Sequence, residues 1–250
     1  MGRRGHERVR GPQQRRGQAR RAASRVGGTV SPYYADDKVT LYHGDCLEVR
    51  EWLSADVLVS DVPYGMNFQS GWAGAFEGQR IRADENTDAR DAALNAWGNR
   101  PALIFGRWSV PRPQGVRTLL TWDKGEHVGM GDLAIPWKPN TEEIYVLGGG
   151  FTGRRTGSVL RHLAIAGTVG QAARGTRHHP TQKPVGLMEE LIDKCPPGVI
   201  ADPFAGSGST LIAARNLGRR AIGVEIEESY CEVIARRLDQ GCLVLGDGAW

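Results

Sequence analysis

Cysteine is scarce in this 250-residue chain and its spacing carries no pattern: Cys46, Cys195, Cys231 and Cys242 form no Cys-x-x-Cys pair. That excludes a disulfide framework and a thiolate metal site, leaving reduced thiols of a cytoplasmic protein as the expectation. His178 and His179 are adjacent, which suits a turn better than a two-ligand face, so no metal is expected. No run approaches the ~20 apolar residues of a membrane span, and the N-terminus lacks the apolar core of a signal peptide. Large apolar side chains are nearly missing from residues 1–30. Such a segment cannot repay its ordering entropy, and it reads as a disordered basic tail. A strong charge of one sign is also missing from the rest. The tail holds nine Arg against one Glu, a balance of +8 within a total of +4, so residues 31–250 carry −4. The basic character therefore belongs to the tail, as non-specific phosphate attraction or simply as a solvated extension.

What remains is an alternation of short apolar runs and helical stripes. Val39–Tyr42, Asp56–Ser60, Ala102–Phe105, Thr118–Trp122, Glu143–Leu147, Val199–Ala201 and Ala221–Val224 read as strands, several apolar throughout, as in a sheet covered on both faces. Val185, Met188, Leu191 and Ile192 make a helical stripe after Pro184. Thr210–Leu217 is a second helix, closed by Gly218, and Ile226, Tyr230, Val233, Ile234 and Leu238 mark a third. The alternation predicts a doubly wound α/β sheet. Two stretches fit neither pattern. Residues 66–100 are rich in glycine and charge and read as a mobile loop, and residues 148–178 are rich in Gly and Arg around one apolar patch.

Two loops carry chemistry. Asp61-Val62-Pro63-Tyr64 ends an apolar strand with an acid, a stiff turn and a ring, offering an acceptor for an amino group beside a surface on which a base can stack. Alone it is a weak signal, since apolar runs ending in Asp-x-Pro are common turns. The second loop, Asp202-Pro203-Phe204-Ala205-Gly206-Ser207-Gly208-Ser209-Thr210, joins a strand to a helix. Its glycines permit close backbone approach, and the helix start presents N–H groups to an anion. It has neither the dinucleotide glycine spacing nor the Lys of a phosphate loop. Glu225 ends the next strand, where an acid can accept both hydroxyls of a ribose. A ribose on that acid and a small anion on the helix fit S-adenosylmethionine. Thr181 and Lys183, just before the Pro184 helix, are placed to meet its carboxylate.

The segments "HPTQKPVGLMEELI", "DPFAGSGSTLIAARNLGRRAIGVEIEESYCEVIARRL", "LYHGDCLE" and "SDVPYG" together closely resemble the DNA amino-methyltransferases of the β arrangement, in which the catalytic motif precedes the cofactor motif. The resemblance spans residues from about 39 to 240, with 66–100 and 148–178 matching poorly. It implies a mostly parallel seven-stranded sheet of the S-adenosylmethionine-dependent methyltransferase type with circularly permuted motif order. It also implies a methyltransferase domain over 31–250 acting on double-stranded DNA. Phe204, Gly206 and Gly208 would line the cofactor loop, Asp202 would sit near the methionine amino group and Glu225 would bind the ribose. Asp45 would approach the cofactor's adenine ring, in preference to the second Gly-Asp pair, Gly246-Asp247.

The catalytic reading follows from the amine. Its lone pair is delocalised into the ring, and two acceptors, the Asp61 carboxylate and the Val62 carbonyl, would draw the nitrogen towards tetrahedral geometry. Tyr64 would stack on the base once it is flipped from the duplex. The family pattern is Asp-Pro-Pro-Tyr, so Val62 is a departure: the carbonyl is kept, while proline's restricted φ is lost and an N–H is added. An acid in first position favours adenine N6, with cytosine N4 as the alternative and a non-enzymatic DNA- or cofactor-binding relic as the reading from another class. Within 148–178, a candidate target-recognition insertion, Arg154, Arg155, Arg161, Arg174 and Arg177 are the expected DNA contacts. Its shortness suggests a short site, low specificity or help from a second subunit in a homodimer.

Overall fold

The computed structural model describes residues 25–26, 29–63, 86–126, 131–164 and 182–244, with side chains of 30–63, 86–126, 131–164 and 182–240. Eleven strands and four α-helices are present among them. In chain order they are β1 (Arg25–Val26), β2 (Thr29–Val30), β3 (Tyr34–Ala35), β4 (Val39–His43) and β5 (Val57–Ser60), then α1 (Asp88–Trp97), β6 (Ala102–Gly106), β7 (Val116–Asp123), β8 (Thr141–Leu147) and β9 (Val159–Arg161). The chain continues with α2 (Val185–Asp193), β10 (Ile200–Asp202), α3 (Ser209–Asn216), β11 (Ala221–Glu225) and α4 (Glu228–Val244).

Nine of the strands form one sheet in the order β3-β4-β11-β10-β5-β6-β8-β7-β9. All seven expected strands are there, and the short β3 and β9 extend the two edges. The pairings make β3 and β8 antiparallel to the other seven. The apolar runs occupy the middle, as their composition requires: every residue of β5, β6 and β10 is buried. Burying side chains of the size of Val57, Leu58 and Val59 contributes about 1.5–3 kcal/mol each.

Chain order reverses between β10 and β5. From β10 the chain passes through α3 to β11 on one side, and from β5 through α1 to β6 on the other. Helices leaving in opposite directions open a crevice at the carboxyl ends of these two strands. The register Ala201↔Leu58 brings Asp202 level with the end of β5 and hence with Asp61, although the two lie far apart in sequence.

Two expectations about loops change. Residues 88–97 within the supposed 66–100 loop are a helix, α1, tied down by Trp97, which stacks on Trp52 with centroids 5.8 Å apart. Its single apolar face is short and broken by Asp and Arg, so periodicity missed it. Residues 25–26 and 29–30, assigned to the tail, pair as an antiparallel ribbon. Residues 1–24 lie outside the described residues.

Candidate active site

Asp61 leaves the carboxyl end of β5 and lines a cleft with Lys183, Asp202, Phe204, Ser207 and Ser209 among its walls. The two loops singled out in the sequence therefore face one cavity. Ser60 Oγ donates to Asp202 Oδ1 at 2.7 Å, stitching the end of β5 to the end of β10. The Phe204 N–H donates to the same oxygen at 3.2 Å. Burial pushes the Asp202 carboxyl up to about 6, against the lowering effect of hydrogen bonds from Thr210, Ser60 and Phe204. A wholly buried acid of this kind favours a cationic group opposite it.

Glu225 ends β11, the strand beside β10. Its Oε2 accepts the Gly206 N–H at 2.6 Å and its Oε1 the Glu227 N–H at 2.8 Å. Burial still pushes its carboxyl up to about 7. A carboxylate oxygen has two lone pairs, so each can accept a further hydroxyl beside its backbone N–H. Gly206 and Gly208 hold left-handed backbone, at φ +52° and +80°. Around a Cβ at 206 the nearest atom would be 3.9 Å away, so the loop surface there is open; at 208 a Cβ would meet Ile234 Cγ1 at 2.9 Å. Asp45 lies at the same sheet edge, beyond β4. It is exposed, its Oδ1 accepts the Leu47 N–H at 2.8 Å, and the neighbouring Gly44 N–H donates to the Glu225 carbonyl at 2.9 Å.

Lys183 departs from expectation. It lines the cleft, but its ammonium is held by carboxylates of the protein, Asp61 Oδ2 at 2.6 Å and Glu142 Oε2 at 3.2 Å. Lys124 Nζ in turn contacts Glu142 Oε1 at 2.9 Å. The faces of Phe105 and Trp122 lie 5.0 and 5.8 Å from the Lys183 nitrogen. Burial opposes the charge on Lys183, yet Asp61 and Glu142 outweigh it and raise its pKa above the usual lysine value. Burial likewise opposes the Glu142 charge, and Lys183 and Lys124 outweigh it, lowering that carboxyl below its usual range. Ser209 Oγ donates to the Lys183 carbonyl at 2.8 Å and pins the segment against α3.

Ser60, Lys124 and Glu142 were not legible as site residues. Adjacent strand residues face opposite sides. Glu142 turns to Lys183, while Glu143 turns to Arg112, whose Nη2 donates to its Oε1 at 2.6 Å. Two consecutive acids on a strand give no sign of which one faces in.

The expected DNA contacts are split by the antiparallel β8. It carries the chain back to the amino edge of the sheet, where the Arg154 carbonyl accepts from Lys194 Nζ at 2.6 Å just past the far end of α2. Arg154 and Arg155 thus follow β8 at the edge opposite Asp61. β9 returns the chain, and Arg161 pairs in register with Asp123 at the carboxyl end of β7, on the Asp61 side. Val62 is buried in the core and Pro63 follows it, both beside Asp61. Tyr64, Arg174, Arg177, Thr181 and the Gly246-Asp247 pair lie outside the described residues. Cys46 and Cys195 are buried thiols pushed up to about 12 by burial, which makes them unreactive. No helix among the described residues is long and apolar enough to cross a membrane.

Comparison with known proteins places this geometry in context. Residues 136–236 match a family model described as DNA methylase. The chain is 28% identical over 209 residues to the Escherichia coli (strain K12) protein named "Putative methylase YubD", covering 78% of this chain and 88% of that one. It is 46% identical over 63 residues to the Type II methyltransferase M.ScaI of Streptomyces caespitosus, a local match to 24% of this chain and 21% of that one. Among solved structures, an M1.HpyAVI–SAM complex superposes with a TM-score of 0.57 at 22% identity, covering 80% of this chain and 98% of that one. The cytosine-N4-specific PvuII DNA methyltransferase superposes with a TM-score of 0.58 at 14% identity, covering 84% and 91%. At these identities the two structures speak for the fold alone.

Proposed function

We propose that this chain is a DNA amino-methyltransferase of the N6-adenine/N4-cytosine family, transferring a methyl group from S-adenosylmethionine to the N6 amino group of adenine in DNA. The observation that carries the reading is the Asp61 carboxylate, which faces the same cleft as Asp202 and the glycine loop, at the point where strand order reverses. The cleft residues fit the cofactor. Asp202, raised by burial, would take the methionine ammonium, which would restore its charge. Glu225 would take the ribose hydroxyls, Asp45 would approach the adenine ring, and the open backbone at Gly206 would let the ligand approach closely. Bound there, S-adenosylmethionine supplies an electrophilic methyl on sulfur, whose departure as a neutral thioether needs no proton donor.

The chain's own residues act on the amine. Asp61 and the Val62 carbonyl accept its two N–H groups, which localises the nitrogen lone pair and aims it. Pro63 stiffens the turn, and Tyr64, next in the chain, stacks on the flipped base. Trp108 and Trp137 are exposed on loops at the edge of the sheet that bears Asp61, aromatic surface of the kind on which bases stack. Arg161 reaches phosphate or a base from the same edge, with Arg174 and Arg177 further along that segment. The acid in first position supports adenine over cytosine. We read residues 31–250 as the methyltransferase domain and 1–30 as an accessory basic tail; with so short a recognition segment, a second copy of the chain would complete the grip on DNA. The test is expression in a methylation-free host, followed by genomic sequencing for modified bases, with Asp61→Ala as control. N6-methyladenine in a defined motif, lost in the variant, supports the reading. N4-methylcytosine selects the other amine, and unmodified DNA points to a binding relic.

A further inference from the structure

We propose that Glu142, backed by Lys124, is a positioning residue for methyl transfer. It sets where the Lys183 ammonium sits and, through it, the orientation and proton affinity of the Asp61 carboxylate. The inference rests on reading Asp61 as the acid that faces the target amine.

Four side chains from four parts of the fold make a row of alternating charge. Asp61 comes from the end of β5, Lys183 from the segment before α2, Glu142 from β8 and Lys124 from just past β7, with successive contacts of 2.6, 3.2 and 2.9 Å. The Lys183 side chain is only 4% exposed and looks onto the Phe105 and Trp122 rings. With such walls, its partners are decided by the charges around it and not by water. One lysine on one aspartate would already be neutral. A second, half-buried acid costs desolvation, and a second lysine balances it. Moreover, Glu142 Oε2 is buried and lies 3.2 Å from the Lys183 ammonium. Glu142 therefore acts on Lys183 as a second counterion, supplied by a different strand from Asp61. Asp202 on β10 is also electrostatically coupled to Asp61.

Removing one charge from such a row displaces the titration of all its neighbours in a known direction. Without the Glu142 charge, Asp61 and Lys183 both lose proton affinity, and without the Lys124 charge both gain it. Full-length wild type, Glu142→Gln and Lys124→Gln are compared as pH profiles of kcat/KM with duplex DNA and S-adenosylmethionine. For Glu142→Gln we expect a profile shifted to lower pH, with kcat reduced about 10-fold and the cofactor KM within about 3-fold of wild type. For Lys124→Gln we expect a shift to higher pH, and Glu142→Asp should recover most of kcat. Damage to packing alone would not produce shifts of opposite sign. Unmoved profiles, or shifts in the same direction, overturn the proposal; should Glu142→Gln fail to fold, the sign of the Lys124→Gln shift decides. A wild-type chain inactive on DNA would instead overturn the proposed function. In that case a slowly exchanging Lys183 ammonium signal in 15N NMR, expected in wild type and lost in Glu142→Gln, reads the cluster without turnover, and its persistence in the variant overturns the inference.

Discussion

Asp61 and Asp202 are two acids facing one cleft with opposite surroundings. Asp61 has a buried ammonium against it, whereas Asp202 has neutral donors and, among the described residues, no cation. The first arrangement keeps a carboxylate charged and available to accept from an amine. The second leaves a charge waiting for a cationic ligand. Asp61→Ala should therefore abolish methyl transfer while cofactor binding, measured by calorimetry, persists; turnover at the wild-type rate would sink the assignment. Asp202→Asn should do the reverse, weakening cofactor binding at least 10-fold, as expected for loss of a charged partner. Ser60→Ala removes a donor from the buried Asp202 and should cost about 1–3 kcal/mol of stability, read from the denaturant midpoint. At Val62 the side chain packs in the core while the carbonyl is the proposed acceptor, so Val62→Pro should retain methyl transfer.

At the scale of elements, the glycine loop works because of what lies behind it. Gly208 combines left-handed backbone with contact against α4, whereas Gly206 has only the backbone requirement. Gly208→Ala should thus destabilise more than Gly206→Ala, by roughly 1–3 kcal/mol against about 1, measured by thermal melting. Equal losses would mean that the α4 contact does not matter. The elements themselves were uneven in legibility. Strands buried on both faces announced themselves as continuous apolar runs, and α2 and α3 by stripe, proline and closing glycine. The helix α1 has too narrow an apolar face to stand out. β3 is short and is held to the sheet by pairing with β4. β9 is likewise held by pairing with β7, which its own composition does not dictate.

For the whole molecule, the raised acids at the crevice make stability depend on pH. Asp202 and Glu225 have folded pKa values of about 6 and about 7, above their unfolded values. Between pH ~4 and ~7 the folded chain therefore holds more protons than the unfolded one, and stability falls as pH rises through that window. Full ionisation of each group costs on the order of 3 kcal/mol of stability. The acids with lowered pKa, Glu142 and Glu143, act in the opposite sense, but below that window. The ligand-free protein should accordingly melt at lower temperature at pH 7.5 than at pH 5.5, and Asp202→Asn should flatten the difference. A rise in melting temperature over the same range would contradict the burial argument.

The sequence by itself determined the α/β class, the order of the two motifs and the identities of Asp61, Asp202, Gly206, Gly208 and Glu225. Those features are local: an apolar run, a turn and the residue at its end are written in consecutive positions. Only the tertiary structure decided which distant residues meet. Strand order brought Asp202 level with Asp61, an antiparallel β8 sent Arg154 and Arg155 to the far edge, and the inward face of that strand selected Glu142 over Glu143. Lys183 was legible as a site residue, but its partners were not. Ion pairs form across the sheet between groups that share no spacing in the chain, and what decides them is which side chains are buried together away from water.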